Sequence, residues 1–561
     1  MKPRVFLPAV ASGLLLWAAF FPLNLGFLAF VALVPWLSLV RADVSRRRRY
    51  FAAYVGGVTF FLPALQWVRV AHPMMHLSWV GMSLMCPLYW CVALFLLRRI
   101  DRLKCVPFAL AVPVVWVALE YVRAHFPTGF SFLQHVGLYQ LVGFGWYFLG
   151  YTQHEFAPLI QIADVGGVYA VSFVVGAVNG LVLDWLARPV VSPRPRFATL
   201  AVVALFAGSV VYGFAKLTHA PFAEGPRVAA IQASVPQSDK MDQEKTGDLF
   251  DKYDELCRTA AASGVDLVVW PETCYPYGWW TIAPNLDPKS VPTQMLKTAA
   301  STKAALKFFA TGKAEGFIPN PNVPVPPPWK TNVLIGTNGY EWDGNRSVPT
   351  NTAVLVNADG DAVGRYDKMH LVPFGEYVPF RETLPWMQNF TPYKDDYSCR
   401  PGESYTRFEM KARDRVFRFG CLICYEDSDP YLARQYVAEK PVDFLVNISN
   451  DGWFDGTEEH EQHLAICRFR AVEARRSVVR AVNMGISAVI DPDGRVIALP
   501  GPTWSKSKKT DGIVTATVPL DTRESLYARL GDWVPAACWA LLTVGHVAGI
   551  TQRRRAKQGT S

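Results

Sequence analysis

Charge is what this sequence has least of. Asp, Glu, Lys and Arg make up 18% of the 561 residues, against 51% hydrophobic and 13% aromatic. So little charge excludes a wholly soluble chain, and so many aromatics exclude a disordered one. No internal repeat is present, and no Lys or Arg occurs from Ala124 to Ile160. Lys2 and Arg4 precede the first apolar run, as in a signal peptide, but no small-residue cleavage site follows and a second run begins almost at once; the first run is expected to be retained as a span.

Up to Leu217 the chain is a series of apolar runs with short basic or polar breaks. A transmembrane helix needs roughly 20 mainly apolar residues. Spans are expected at Val5–Pro22, Gly26–Val40, Phe51–Val68, Leu77–Leu97, Val106–Tyr121, Val168–Ala187, Phe197–Leu217 and, near the C-terminus, Trp533–Ile550. Lys and Arg gather in cytoplasmic loops. Here they fill every second break: Lys2 and Arg4, Arg41 with Arg46 to Arg49, Arg98 to Lys104, Arg188 to Arg196, and Arg553 to Lys557. The reading is eight spans with both termini cytoplasmic, which puts the long segment after the seventh span outside the cytoplasm. The net charge of +9 is therefore a topology signal and gives nucleic-acid binding no support.

Residues 1–220 are thus expected to be a membrane domain of seven helices, 221–525 an extracytoplasmic domain, and 526–561 a last helix with a basic tail. In the middle segment, Arg227–Val235, Val265–Trp270, Val333–Gly336, Thr352–Asn357, Phe417–Cys424 and Val442–Asn447 are short β-branched runs that predict buried strands. Helices are predicted at Leu249–Ala262 and, as one long element, Glu459–Val482. Strands alternating with helices predict a layered α/β domain. The Pro-rich stretch Ile318–Pro328 predicts an extended loop.

The chemistry lies at strand ends. Trp270-Pro-Glu272 follows one apolar strand, Tyr366-Asp-Lys368 follows a hairpin with Ala358-Asp-Gly360 at its turn, and Cys424-Tyr-Glu426 ends a third strand. A thiol that attacks a carbonyl needs a proton acceptor, and the oxyanion it creates needs a cation or N–H donors. In this order, with these flanks, the three residues resemble the Glu-Lys-Cys triad of the nitrilase (carbon–nitrogen hydrolase) superfamily. The whole chain is similar to the apolipoprotein N-acyltransferase family: Lys368-Met-His-Leu-Val-Pro-Phe-Gly-Glu-Tyr-Val-Pro379, Ser449-Asn-Asp-Gly-Trp-Phe454, Gln462-His463, Arg480-Ala-Val-Asn483, Trp116–Arg123, Thr128-Gly-Phe130 and Leu526–Asp532 carry the likeness. The segment between Glu272 and Lys368 looks longer than the family norm.

The resemblance implies an external α-β-β-α nitrilase-like sandwich on the helical membrane domain, with Cys424 as nucleophile, Glu272 as general base and Lys368 as oxyanion stabiliser, aided by the Tyr425 N–H. Glu376 and Glu426 would orient or tune the triad. It further implies a bacterial inner-membrane enzyme with a periplasmic catalytic domain. The sn-1 acyl chain of a glycerophospholipid would pass through a Cys424 thioester to the α-amino group of an S-diacylglyceryl cysteine on an apolipoprotein, in a monomer without metal or organic cofactor. Tyr275, Tyr277, Trp279, Trp280, Trp386, Phe390 and Trp453 would form an interfacial, substrate-facing set, and Glu120 and Arg123 would meet headgroups or pair with each other.

Two clusters are read blandly. Cys421 and Cys424 have redox or zinc spacing, but three residues apart on a strand they face opposite sides. Glu458-Glu-His-Glu-Gln-His463 lacks the His-Glu-x-x-His spacing of zinc proteases and sits where acidic residues favour a helix N-terminus. Two other functions fit less well: a membrane-tethered amidase in which water discharges the thioester, and an inactive lipoprotein-binding scaffold.

Overall fold

The computed structural model describes residues 5–102, 106–127, 129, 143–186, 195–318, 327–381, 383–390 and 397–558, the last eleven of these, with 389 and 390, as backbone alone. Thr128, Phe130 and residues 319–326 of the Pro-rich stretch lie outside the described residues. Contacts divide the chain into one unit made of Met1–Phe130, Gly143–Ala220 and Ser525–Ser561 and another containing Pro221–Glu524.

Among the described residues of the first unit, four helices are long and apolar enough to cross a membrane: Met75–Asp101, Phe108–His125, Ala163–Leu186 and Arg196–Leu217. Phe6–Ala19, Gly26–Val40 and Trp533–Val547 are shorter apolar helices, so four of the eight expected spans are matched by helices of crossing length and composition. Gly26–Val40 is moreover a chain of short α and 3-10 turns rather than one regular helix. Buried Asn179 compensates there, its Oδ1 accepting from the Leu33 N–H at 2.9 Å while its Nδ2 donates to the Ala29 carbonyl at 2.8 Å. Ala163–Leu186 is interrupted at Gly166 and Gly167, the latter at φ 67°. Against that break lie the Tyr527 ring, whose Cε2 would stand 2.9 Å from a Cβ at Gly167, and Trp533, whose Nε1 donates to the Val165 carbonyl at 2.8 Å.

The second unit is built on strands β1 (Ala223–Gln232), β2 (Leu267–Val269), β3 (Tyr275–Ile282), β4 (Asn332–Trp342), β5 (Ser347–Val356), β6 (Ala362–Asp367), β7 (Arg407–Ala412), β8 (Arg415–Ile423), β9 (Phe444–Asn450), β10 (Val478–Asn483), β11 (Ala488–Ile490), β12 (Val496–Ala498) and β13 (Gly512–Leu520). One sheet runs β13-β1-β2-β4-β5-β6, with β3 also paired to β4; the other runs β12-β11-β10-β9-β8-β7. The central pairs β1–β2, β2–β4, β8–β9 and β9–β10 are parallel. Parallel strands are covered on both faces, which is why their sequences are continuous β-branched runs without alternation. The helix Thr246–Ala262 seals the first sheet: Leu249, Phe250, Tyr253 and Cys257 pack with Ile231, Val268, Trp270 and Val333. Pro430–Ala438 and Glu459–Ala474 cover the second sheet. The result is an α-β-β-α sandwich.

The predicted helix Glu459–Val482 is wrong in its second half. It ends at Ala474, Arg475 takes a left-handed conformation at φ 49°, and Val478–Asn483 is β10. Every residue from Glu459 to Asn483 is buried, so no polar face marks where the helical period stops. The fixing contact is long-range, from the Arg475 Nη1 to the Asp493 Oδ1 at 3.1 Å, both groups buried.

Candidate active site

Glu272, Lys368 and Cys424 stand at the ends of β2, β6 and β8, the first two on one sheet and the third on the other. The Trp270-Pro-Glu turn runs directly over β4. A Cβ on Gly336 would lie 2.3 Å from the Pro271 carbonyl oxygen, a contact with backbone that cannot rotate away. Gly336→Ala is therefore expected to cost about 1–3 kcal/mol of stability and to displace Glu272, lowering both the thermal transition and turnover. After Glu272 the chain reverses through Thr273 at φ 51°, a strained position for a β-branched residue. Lys240 pins the turn, its Nζ donating to the Glu272 carbonyl at 3.1 Å and to the Thr273 Oγ1 at 3.0 Å.

Lys368 is buried between two carboxylates, its Nζ 3.2 Å from the Glu272 Oε1 and 2.9 Å from the Glu376 Oε2. Asn351 on β5 bridges the same pair, donating from Nδ2 to the Glu272 Oε1 at 2.7 Å and to the Glu376 Oε1 at 2.6 Å. The second Glu272 oxygen accepts from the Asn450 N–H at 2.9 Å. Burial alone would lower the Lys368 ammonium, but Glu272, Glu376 and Cys424 outweigh it and hold the group well above its ordinary range.

Cys424 opens a 3-10 turn, Cys424–Ser428, in a left-handed conformation at φ 53°. Burial, then the Glu272 charge, push its thiol well up, against the opposing pull of Lys368 and His463. A thiol held up in this way would need a base in order to attack a carbonyl. Glu426 anchors this turn to the Lys368 loop: fully buried, it accepts from the Ile423 N–H (2.6 Å), the Met369 N–H (2.7 Å) and the Tyr366 hydroxyl (2.8 Å). Tyr425 lies between the two on the same turn.

The substrate-facing set divides. Tyr277 is 48% and Trp386 is 56% exposed, Trp280 stacks on Tyr340 with centroids 4.5 Å apart, and Trp453 is half-buried. The Phe390 side chain lies outside the described residues. Tyr275 and Trp279 are corrections: both are core residues, packed with Phe250 and Trp270 under the first sheet. Glu120 and Arg123 both line a cavity of the first unit. Buried in the first unit, the Glu120 Oε1 accepts from the Leu149 N–H at 2.6 Å and the Trp116 Nε1 at 3.0 Å, and Arg123 donates to the Phe144 and Tyr147 carbonyls. They hold the Phe144–Leu149 backbone. Cys421 is buried and, like the other described cysteines, free; its Sγ lies 3.9 Å from the Leu422 carbonyl oxygen.

Sequence reasoning missed Asn351, which nothing in its local sequence distinguishes from a surface amide. It also left Asp427, Asp451, His463 and Arg480 without roles, although they form a fully buried ion-pair cluster behind Cys424. Asp451, Glu459 and His460 converge closely enough to suggest a metal. Yet the His460 Nε2 accepts from the Gly456 N–H at 2.7 Å, so its Nδ1 carries the proton that faces the carboxylates and is not a metal lone pair.

Residues 12–181 match the apolipoprotein N-acyltransferase N-terminal domain, and residues 227–528 match carbon-nitrogen hydrolase. A protein of Geobacter metallireducens named apolipoprotein N-acyltransferase is 32% identical over 98% of this chain and 96% of its own length. One of that name from Rhodopirellula baltica is 29% identical over 96% of each. Among solved structures, a member of branch 10 of the nitrilase superfamily from Saccharomyces cerevisiae is 22% identical, covers 55% of this chain and 93% of its own, and has a TM-score of 0.33. Matched from end to end by relatives of one name, and by both domain types in their expected order, the chain belongs to the apolipoprotein N-acyltransferase family.

Proposed function

We propose that this chain is a membrane acyltransferase that moves the sn-1 acyl chain of a glycerophospholipid to the α-amino group of an S-diacylglyceryl cysteine on an apolipoprotein. The observation that carries the reading is the buried Glu272–Lys368–Glu376–Asn351 cluster beside a thiol on a strained turn, in a chain related over its full length to N-acyltransferases. Glu272 takes the Cys424 thiol proton as sulfur attacks the ester carbonyl. Lys368 and the Tyr425 N–H stabilise the oxyanion. Collapse breaks the acyl–oxygen bond, Glu272 returns the proton to the leaving alkoxide, and a lysophospholipid departs from an acyl thioester. In the second half the neutral acceptor amine attacks, Glu272 takes a proton from the new ammonium, and the expelled thiolate recovers it as the amide forms. Glu376 and Glu426 orient Lys368 and the Cys424 turn. No step calls for a metal or cofactor.

Membrane placement is supported by the four long apolar helices. Our finer reading is of eight spans, both termini cytoplasmic and the catalytic domain periplasmic, in a monomer; the alternation of basic breaks supports it. Residues 1–220, 221–525 and 526–561 are the corresponding domains. With sn-1-labelled phospholipid and a diacylglyceryl-cysteine peptide, the expected product is a triacylated peptide bearing the label; release of labelled free fatty acid in its place would identify a hydrolase and refute the proposal.

A further inference from the structure

Behind the nucleophile, four ionisable side chains form a closed ring, each at most 1% exposed. Asp427, three residues after Cys424, lies with its Oδ1 2.8 Å from the His463 Nε2 and its Oδ2 3.1 Å from the Arg480 Nη1. Asp451, next to Asn450, lies with its Oδ1 3.2 Å from the His463 Nδ1 and its Oδ2 3.0 Å from the Arg480 Nη2. Both ring nitrogens of His463 thus face carboxylate oxygens. A neutral imidazole has one donor only, so both contacts are satisfied only by the imidazolium. Charge gives the same answer: two carboxylates in a dry site need two cations, and Arg480 supplies one.

The ring joins the two halves of the catalytic centre. Asp427 belongs to the turn that Cys424 opens; Asp451 follows Asn450, whose N–H holds the Glu272 carboxylate. Asn447 adds a strut, accepting from the Arg480 Nη1 at 2.5 Å and donating toward the Cys424 carbonyl at 3.5 Å. We propose that His463, as a permanent imidazolium, is a positioning residue that locks the nucleophile turn to the turn after β9, whose Asn450 N–H holds the general base. The inference rests on the reading of Cys424 as nucleophile and Glu272 as base.

The groups facing His463 come from every side: Asp427 from the Cys424 turn, Asp451 from the turn after β9, Arg480 from β10, and Glu459, His460 and Cys467 from its own helix. Burial and Arg480 pull the imidazole down; Asp427 and Asp451 outweigh both and hold it well above its ordinary value. Burial first, then Asp451, push Glu459 toward its neutral form, which leaves the ring balanced. The same cation opposes the rise of the Cys424 thiol.

The test uses the full-length protein in detergent, with His463→Gln and the charge-balanced pair His463→Gln/Asp427→Asn. Folding is read by thermal melting, acylation of Cys424 by mass spectrometry in a single turnover, and thiol reactivity by iodoacetamide alkylation across pH. Loss of positioning is expected to slow acylation roughly 100-fold in both folded variants, with phospholipid half-saturation unchanged; the alkylation profile moves to higher pH in His463→Gln, which loses a cation uncompensated. A folded, charge-balanced variant with parental acylation would overturn the proposal, reducing His463 to a counter-charge. If neither variant folds, deuterium exchange at the imidazole C2 of His463 in the parent protein decides: no titration midpoint between pH 5 and 8 is expected, and a midpoint near the ordinary value of about 6.5 overturns it. Alkylation reads Cys424 whatever the natural acyl donor, whereas activity retained by Cys424→Ser would sink the nucleophile assignment itself, so the two failures are distinguishable.

Discussion

Cys424→Ser lowers turnover by at least roughly 10⁴-fold while leaving the melting transition close to that of the parent. The magnitude follows from the division of labour proposed at the site. Serine keeps the size and the hydrogen-bonding capacity of the side chain, so the turn, Glu426 and the buried ring behind it stay assembled. What is lost is a nucleophile that forms a thioester reactive enough for an amine to discharge; an oxygen ester at the same position would be a poor donor. The measurement is the rate of triacylated-peptide formation, with thermal melting beside it. Near-parental turnover would remove Cys424 from the reaction.

Lys368→Met is expected to damage both folding and chemistry. The ammonium is 1% exposed and is shared by Glu272 and Glu376, so its removal leaves two carboxylates facing each other in a dry site. Breaking such a buried pair from one side costs about 3–5 kcal/mol. Turnover falls further, because the oxyanion loses its cation. The pH dependence of the intact protein has a definite sign. The folded-state value of Lys368 is raised above its unfolded value, so the ion pair contributes fully below the ordinary lysine value of about 10.4 and is lost only as pH climbs through the higher folded value. Any basic limb of the rate profile below pH 9 therefore belongs to a group other than Lys368. A variant as stable as the parent across pH 6–9 would contradict the buried-pair reading.

What the sequence disclosed follows from where each residue finds its partners. The runs at Val265–Trp270 and Val442–Asn447 were legible as strands because parallel, doubly covered strands leave no polar alternation to confuse the pattern. The break at Arg475 was not, because its cause, Asp493, lies eighteen residues away and the whole stretch is buried. Glu272, Lys368 and Cys424 were visible through their flanking motifs. Asn351 was not, since an amide on a strand acquires its meaning only when β5 brings it between two carboxylates from other elements. Tyr275 and Trp279 misled for the opposite reason: aromatics after a catalytic motif look like a substrate surface, whereas these two fill the layer between the first sheet and its helices. The order of the two sheets was beyond local patterning, because pairing such as β13 with β1 joins the ends of the second unit.

The central claim is that the acyl chain rests on Cys424 between donor and acceptor. Detergent-purified protein is incubated with phospholipid isotopically labelled on its sn-1 chain, in the absence of acceptor, and the Cys424 peptide is weighed by mass spectrometry before and after a diacylglyceryl-cysteine peptide is added. The account predicts one labelled acyl group on Cys424, released as an equal amount of labelled amide when the acceptor arrives. An unacylated Cys424 in folded, active protein would contradict it.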